Sequence, residues 1–184
     1  MLVKDIILKV CDFIENKELA LVIKTNDGAT EELAEELEVL IKCFNLVRNE
    51  IATEVLPNVK IATLKSNNKK IEFSSLNGKV IEILSVKDKN GYNIKFDAFA
   101  DHILLDCDRE VEIRYNASPE ELDFEGEFTS NIPERVYAYG VVREYYYIQT
   151  LYEDASIWEE RFKNSLQALE RKKSEIFIPR RRWL

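Results

Sequence analysis

The apolar residues of this chain change their spacing twice, and these two changes constrain the fold more than any other feature of the sequence. Up to residue 56, apolar residues recur at intervals of three or four, which is the spacing of one buried helix face. Between residues 58 and 117 they alternate with polar residues in short runs, as in half-buried β-strands. Helical spacing returns after Pro133. The sequence therefore predicts an α+β fold, in which N- and C-terminal helices form one bundle and a small antiparallel β module of about five to six strands is inserted between them.

Turn and capping residues set the limits of these elements. A long helix is predicted between Thr30, a good N-cap residue, and Pro57, because the residue before a proline disfavours helical geometry. Asn77-Gly78 and Asn90-Gly91 are dipeptides that suit tight hairpin turns, so we expect a hairpin at each. Residues 16–24 fit either a helix end or a short strand. The predicted segments are N-terminal bundle helices (1–57), a β module with an acidic connection (58–131), C-terminal bundle helices (132–175) and an extended docking arm (176–184).

Charge and cysteine content argue against several classes of protein. The formal net charge is −8 at pH 7, whereas free nucleic-acid-binding proteins are usually basic. Cys11, Cys43 and Cys107 are far apart and lack C-x-x-C spacing, which indicates a reducing compartment. No apolar run approaches the roughly 20 residues needed to cross a bilayer, and no signal peptide is apparent. We therefore expect a protein made in the cytoplasm that does not enter a membrane.

Only one cluster of side chains has the composition of a metal or catalytic centre. It contains the single histidine of the chain and comprises Asp101, His102, Asp106, Cys107 and Asp108. These residue types ligate zinc and iron, and a Cys107–His102 pair is compatible with nucleophilic chemistry. A small metal- or Cys/His-dependent enzyme is thus an alternative interpretation. Without a second ligand cluster, we expect instead a strand and turn with exposed acids, no catalytic residue, no bound metal and no cofactor.

The long predicted helix also carries a dense group of carboxylates. Five glutamates fall on or near its first turns: Glu31, Glu32, Glu35, Glu36 and Glu38. Because the apolar residues of this helix occupy the opposite face, the glutamates are expected to form a solvated surface.

Residues 133–152 predict one helix with aromatic side chains around most of its circumference. One face repeats at steps of three and four and is expected to join the fold core: Tyr137, Val141, Tyr145 and Ile148. The remaining tyrosines cover other faces: Tyr139, Tyr146, Tyr147 and Tyr152. Since such a helix has more than one face to bury, we expect this second set to form a subunit interface.

The chain closes with a basic, aromatic segment that permits three interpretations. It is a frayed terminus, a phosphate-contacting tail of a nucleic-acid-binding regulator, or a docking peptide. The proline at position 179 and the apolar residues before it favour an extended docking arm. Its expected partner-binding residues are Ile178, Arg180, Arg181, Arg182, Trp183 and Leu184.

Two stretches give the sequence a family resemblance. The first runs from Leu40 to Ala52 in the long helix, and the second contains Gly140-Val141-Val142-x-Glu144-Tyr145-Tyr146, then Tyr152-x-x-Ala155-x-x-Trp158. Both resemble the head-to-tail adaptor proteins of tailed bacteriophages, in particular the tail tubular protein A type of short-tailed phages. The likeness covers the whole chain in its order of parts, although the connection around residues 122–128 is short for the family.

The resemblance implies a virion structural protein rather than an enzyme. Such adaptors form a ring, usually twelve-fold, between the portal and the tail, at the head-tail junction. By this likeness, the helices pack against neighbouring copies, the C-terminal arm reaches the portal protein and the β module faces the tail nozzle or another tail protein. DNA passes through the ring without sequence-specific binding, and an acidic lumen lets it slide, in keeping with the net charge of −8. The protein is synthesised in the cytoplasm of the host bacterium.

Overall fold

A computed structural model of the chain describes residues 1–173 and confirms the α+β class. Within that range the chain forms five α-helices and six β-strands. The helices are α1 (Val3–Phe13), α2 (Lys17–Thr25), α3 (Glu31–Glu54), α4 (Glu134–Ile148) and α5 (Tyr152–Lys173). The strands are β1 (Val59–Lys65), β2 (Lys70–Glu72), β3 (Val80–Lys87), β4 (Phe96–Ala98), β5 (His102–Leu105) and β6 (Glu110–Ala117).

The chain divides into two compact units. A helical unit comprises Met1–Val47 and the described residues from Leu122 onward, and a β unit comprises Arg48–Glu121. Both divisions come earlier in the chain than the changes in apolar spacing at residues 57 and 131. The first division comes before Pro57 because of a hydrogen bond of Asn116, whose side-chain amide donates to the carbonyl of Ala52 at 2.8 Å. This bond joins the last turns of α3 to strand β6.

The helical unit is built around the apolar face of α1, which packs against α4. The buried residues of α1 recur at helical spacing: Val3, Ile6, Ile7, Val10 and Cys11. The start of the chain is held by the connection that precedes α4, since the backbone N–H of Val3 donates to the carbonyl of Gly126 at 3.0 Å. Lys9 forms an ion pair with Glu134 at the first residue of α4.

Local capping settles the two N-terminal elements that follow. Residues 16–24 are helical, because Asn16 accepts a hydrogen bond from the backbone N–H of Leu19 at 2.9 Å and caps α2. Asn26 ends α2 in the left-handed conformation, with φ of 56°. Thr30 caps α3 as expected, since its hydroxyl accepts from the N–H of Leu33 at 3.3 Å.

The β unit consists of two three-stranded antiparallel sheets, with strand orders β1-β6-β3 and β2-β5-β4. Its core includes Ile103, Ile113 and Tyr115, all at most 1% exposed. The Tyr115 hydroxyl donates to the carbonyl of Asn77 at 3.1 Å and thereby satisfies its one polar group inside this core.

The strand pairing corrects one of the two hairpins expected from the sequence. β2 pairs with β5 and β3 pairs with β6, so Asn77-Gly78 connects strands of different sheets instead of turning a hairpin. Asn90-Gly91 does close a short hairpin, in which the backbone N–H of Asp88 donates to the carbonyl of Tyr92 at 2.9 Å and that of Ile94 donates to the carbonyl of Val86 at 2.8 Å, around the isolated bridge between Lys87 and Asn93. The alternating run Tyr92–Phe96 is therefore mostly outside the sheets, because β4 begins at Phe96 and pairs with β5. Alternation in sequence marks a run that can form a strand, but the pairing partner determines whether it does.

Candidate interaction surface

The α4–α5 hairpin is held at its base by a close approach of three helices. Gly140 lies on α4, where an added Cβ would be 2.7 Å from Cγ1 of Val47 on α3 and 3.1 Å from the Phe162 ring on α5. Ala155, near the start of α5, is fully buried. Only small residues fit at these two positions, so the spacing of Gly140 and Ala155 fixes how the hairpin packs.

An aromatic cluster continues this packing. The ring of Phe13 on α1 lies 5.5 Å from that of Tyr139 and 5.1 Å from that of Trp158. Tyr139 and Trp158 are 5.6 Å apart, and the guanidinium of Arg161 lies 4.5 Å from the Trp158 ring centroid. Tyr139, expected at a subunit interface, is thus half-buried among side chains of its own chain.

Two further tyrosines of α4 are tied to glutamates. The Tyr145 hydroxyl donates to Glu36 at 2.7 Å, and the side chain of Asn16 donates to the same carboxylate at 2.9 Å. Burial, and then the hydrogen bond to Glu36, raise the pKa of Tyr145 above its usual value. Tyr147 donates to Glu159 on α5. Glu36 therefore links three helices, whereas its sequence neighbourhood predicted a solvated residue.

Tyr146 is half-buried and its ring lies 5.9 Å from that of Tyr145. Burial, and then the charge of Asp154, raise its pKa above the usual tyrosine value. Tyr146 therefore occupies the side of α4 that faces the chain's own carboxylates.

The turn of the hairpin exposes four large apolar side chains, which we call the hairpin tip. Their exposed fractions are 53% for Ile148, 47% for Leu151, 63% for Tyr152 and 51% for Ile157. Tyr152 is the one residue of the expected tyrosine interface that is mostly exposed, and its ring lies 6.4 Å from that of Tyr147. Leu151 and Ile157 were not expected in this surface from the sequence.

The position of Ile148 corrects the prediction that it belongs to the fold core. α4 ends at this residue, and Thr150 takes a left-handed conformation with φ of 60° that redirects the chain into α5. α5 begins at Tyr152, the residue at which the sequence predicted the preceding helix to end. The helix thus ends before the core face completes another turn, which leaves Ile148 at the exposed end.

A second feature of the helical unit is a concave surface between α1 and α2, which we call the α1–α2 groove. It has a volume of about 470 Å³, and its lining includes Asp12, Glu15, Lys17, Leu21 and Lys24. Leu21 is 62% exposed. Lys17 and Lys24 lie four residues before and three residues after it, so all three occupy one face of α2. The sequence did not indicate this surface, because residues 16–24 fitted either a helix end or a short strand.

The cluster around His102 and Cys107 is divided by strand β5. His102 opens the strand, pairs with Asp101 at 2.6 Å and stacks on the Phe99 ring at 4.7 Å. Cys107 lies beyond the other end of the strand, where its thiol accepts a hydrogen bond from Nε of Arg109 at 3.0 Å.

The remaining acids of that cluster have local structural partners. Asp106 pairs with Arg109 at 2.9 Å, and Asp108 accepts from the backbone N–H of Lys69 at 2.6 Å and from the Ser66 hydroxyl at 3.2 Å. Across residues 1–173, no three His, Cys, Asp or Glu side chains come together as metal ligands would.

The other two thiols are part of the helical core. Cys11 is 1% exposed and Cys43 is fully buried. Burial is the main cause that raises the pKa of each thiol to about 12, with Glu36 adding to the effect at Cys11 and Glu144 at Cys43. Both therefore remain protonated at neutral pH and act as small apolar residues.

Two further predictions concern the docking arm and membrane-spanning helices. The expected docking arm (176–184), with all its predicted partner-binding residues, lies outside the described residues, as do positions 174 and 175 of the predicted C-terminal helices. Among the helices within residues 1–173, none combines the length and the apolar character that crossing a bilayer demands.

Comparison of the sequence with profiles of protein families and with curated protein sequences gives no match.

Proposed function

We propose that the protein is a structural adaptor of a tailed bacteriophage that assembles into a ring between portal and tail and leaves a passage for DNA. The observation that supports this most directly is the hairpin tip, where four large apolar side chains are close together in the sequence and about half exposed or more. Contiguous exposed apolar surface of this kind is typical of protein–protein contact sites. A protein whose task is assembly needs such a surface.

The residues that carry the family resemblance support the proposal through their packing. Gly140, Ala155 and Trp158 are three of the most distinctive residues of the pattern, and they set the contacts of α4 with α1, α3 and α5. The pattern is thus a requirement for building this particular hairpin.

The other parts of the proposed adaptor follow from the same likeness. The C-terminal arm (176–184) docks on the portal protein through its arginines and Trp183. The ring is twelve-fold, the β unit faces the tail nozzle, and acidic side chains line the DNA passage. The protein resides at the head-tail junction of the virion, and its ring takes up no cofactor.

The test combines the purified chain with a candidate portal ring from the same source. Native mass spectrometry is expected to show several copies bound to one portal ring, and deletion of residues 179–184 is expected to abolish that binding. A chain that never binds the portal ring, whether as monomer or oligomer, would contradict the proposal. DNA binding that falls steeply with salt and disappears with the same deletion would favour the nucleic-acid-binding alternative instead.

A further inference from the structure

We infer that the hairpin tip of one copy inserts into the α1–α2 groove of the next copy, so that identical chains join head to tail. This inference rests on the proposed ring and assigns its lateral contact to two different surfaces of the helical unit. Two different complementary surfaces on one chain can pair reciprocally in an isologous dimer or one-sidedly in a heterologous contact. The proposed ring requires the heterologous contact, which closes when the rotation between copies permits.

The apolar parts of the two surfaces match. Tyr152 and Leu21 are each more than 60% exposed, so neither covers the other within one chain. The groove, at about 470 Å³, has ample room for a tyrosine ring, since a cavity of about 150 Å³ accommodates benzene. A large aromatic residue that enters a partly apolar concavity is the commonest form of an interface anchor.

The α2 side of the groove is opposite in charge to the hairpin tip. Residues 148–160 contain four acids and no lysine or arginine, and two of these acids, Glu153 and Asp154, directly follow Tyr152. Lys17 and Lys24 flank Leu21 on the exposed face of α2. Opposite charges at the rim of an apolar contact direct association and fix its register.

The acids of the groove have a role in the same arrangement. Asp12 and Glu15 line its α1 side, where like charge would repel Glu153 and Asp154. The Tyr152 hydroxyl is a donor and suits these carboxylates. The contact is therefore oriented, with the tyrosine toward α1 and the acids of the tip toward the lysines of α2.

Two single variants and their mixture test the head-to-tail arrangement. Leu21→Ser and Tyr152→Ser each replace an exposed side chain, and each is expected to raise the dissociation constant for self-association about tenfold or more. In an equal mixture, the intact tip of the Leu21→Ser chain meets the intact groove of the Tyr152→Ser chain. Native mass spectrometry with one chain isotopically labelled is expected to show mixed pairs in excess over pairs of either variant alone.

Charge reversal gives an independent test with a matched control. K17E/K24E and E153K/D154K are each expected to weaken self-association, and chains that carry all four substitutions are expected to recover most of it. K79E/K95E changes the net charge as K17E/K24E does, at exposed lysines of the β unit, and is expected to leave self-association unchanged.

Three results would overturn the inference. These are self-association of Leu21→Ser at the wild-type level, absence of an excess of mixed pairs, and a wild-type chain that forms nothing larger than a dimer at its highest soluble concentration, since a reciprocal contact stops at the dimer. None of the three decides the proposed function, which depends separately on binding to the portal ring.

Discussion

At the base of the α4–α5 hairpin, aromatic and apolar side chains of α1, α3, α4 and α5 are buried against one another. At its tip, eight residues beyond Gly140, side chains of the same kinds are exposed, with Ile148 and Tyr152 both more than half accessible. Composition is similar at the two ends, yet the base has partners within the chain and the tip has few. The aromatic side chains of this segment therefore fall into two groups. Those at the base are needed for folding, and those at the tip are not needed to fill the core.

The largest effect on stability is expected when two apolar side chains of α5, one at the base and one at the tip, are each truncated. Phe162→Ala removes a ring that is 1% exposed, so we expect the free energy of unfolding to fall by about 3–5 kcal/mol. Ile157→Ala removes an exposed side chain five residues after Tyr152 on the same helix and is expected to change that free energy by less than about 0.5 kcal/mol. Urea unfolding monitored by tryptophan fluorescence measures both, and equal losses would mean that the tip is as well packed as the base.

Gly140 tests whether the base is as close-packed as its distances indicate. Gly140→Ala places a methyl group 2.7 Å from Val47, and we expect a loss of about 1–3 kcal/mol despite the better helix propensity of alanine. Adding Val47→Ala creates space for the new methyl group, so the double variant should lose less than the sum of the single losses. Strict additivity in urea unfolding would show that the two residues do not meet.

The buried thiols predict how stability changes with pH. The pKa of Cys11 and of Cys43 is near 9.0 when the chain is unfolded and about 12 in the folded protein. The unfolded chain therefore releases these protons first. The stability that the two thiols contribute is fully present below pH 9 and is lost as the pH rises from 9 to about 12. We expect a slope of about 1.4 kcal/mol per pH unit for each thiol. Replacing both residues by alanine should flatten the slope between pH 9 and 11, and an unchanged slope would place its origin elsewhere.

The hydrogen bond between Tyr145 and Glu36 gives a smaller effect. Tyr145→Phe removes only the hydroxyl that donates to Glu36 at 2.7 Å, and we expect a loss of about 1 kcal/mol. Tyr152→Phe makes the same change at the exposed tip and is expected to alter stability by a few tenths of a kcal/mol at most. If the two variants lose the same amount of stability, the Glu36 contact contributes nothing.

The smallest effect on stability is expected at the tip itself. Tyr152→Ser should leave the unfolding midpoint nearly unchanged, because its side chain is 63% exposed. A large loss of stability would reveal packing within the chain that the exposure of Tyr152 does not indicate.

Much of the fold was predictable because local signals agreed with the tertiary structure. Apolar spacing and the capping residue Thr30 identified α3, and the change to alternation at residue 58 located β1. Strand pairing was not predictable, because the sequence marks Asn77-Gly78 as a turn without specifying which strands it joins. The units also divide at Val47 rather than Pro57, since Asn116 connects α3 to β6 across a long stretch of sequence.

The candidate surface was predictable only in part. The aromatic excess of α4 indicated a surface beyond the core, but spacing alone assigned Tyr139 to it and Ile148 to the core. Ile148 is exposed because α4 ends there and the left-handed Thr150 reverses the chain. The same reversal places Trp158 of α5 against Tyr139, which is therefore half-buried. The partial burial of Glu36 was not predictable either, because its hydrogen-bond partner Tyr145 is distant in sequence and no local pattern indicates the pair.

The central claim is that the hairpin tip mediates assembly of identical chains. Sedimentation velocity over a wide range of protein concentration, alone and with the portal ring, tests it most directly for the wild type and Tyr152→Ser. We expect wild-type species at whole multiples of the chain mass, and fewer of them for Tyr152→Ser at equal stability. A wild type that sediments as a single chain under every condition, or a variant that assembles as readily as the wild type, would contradict the claim.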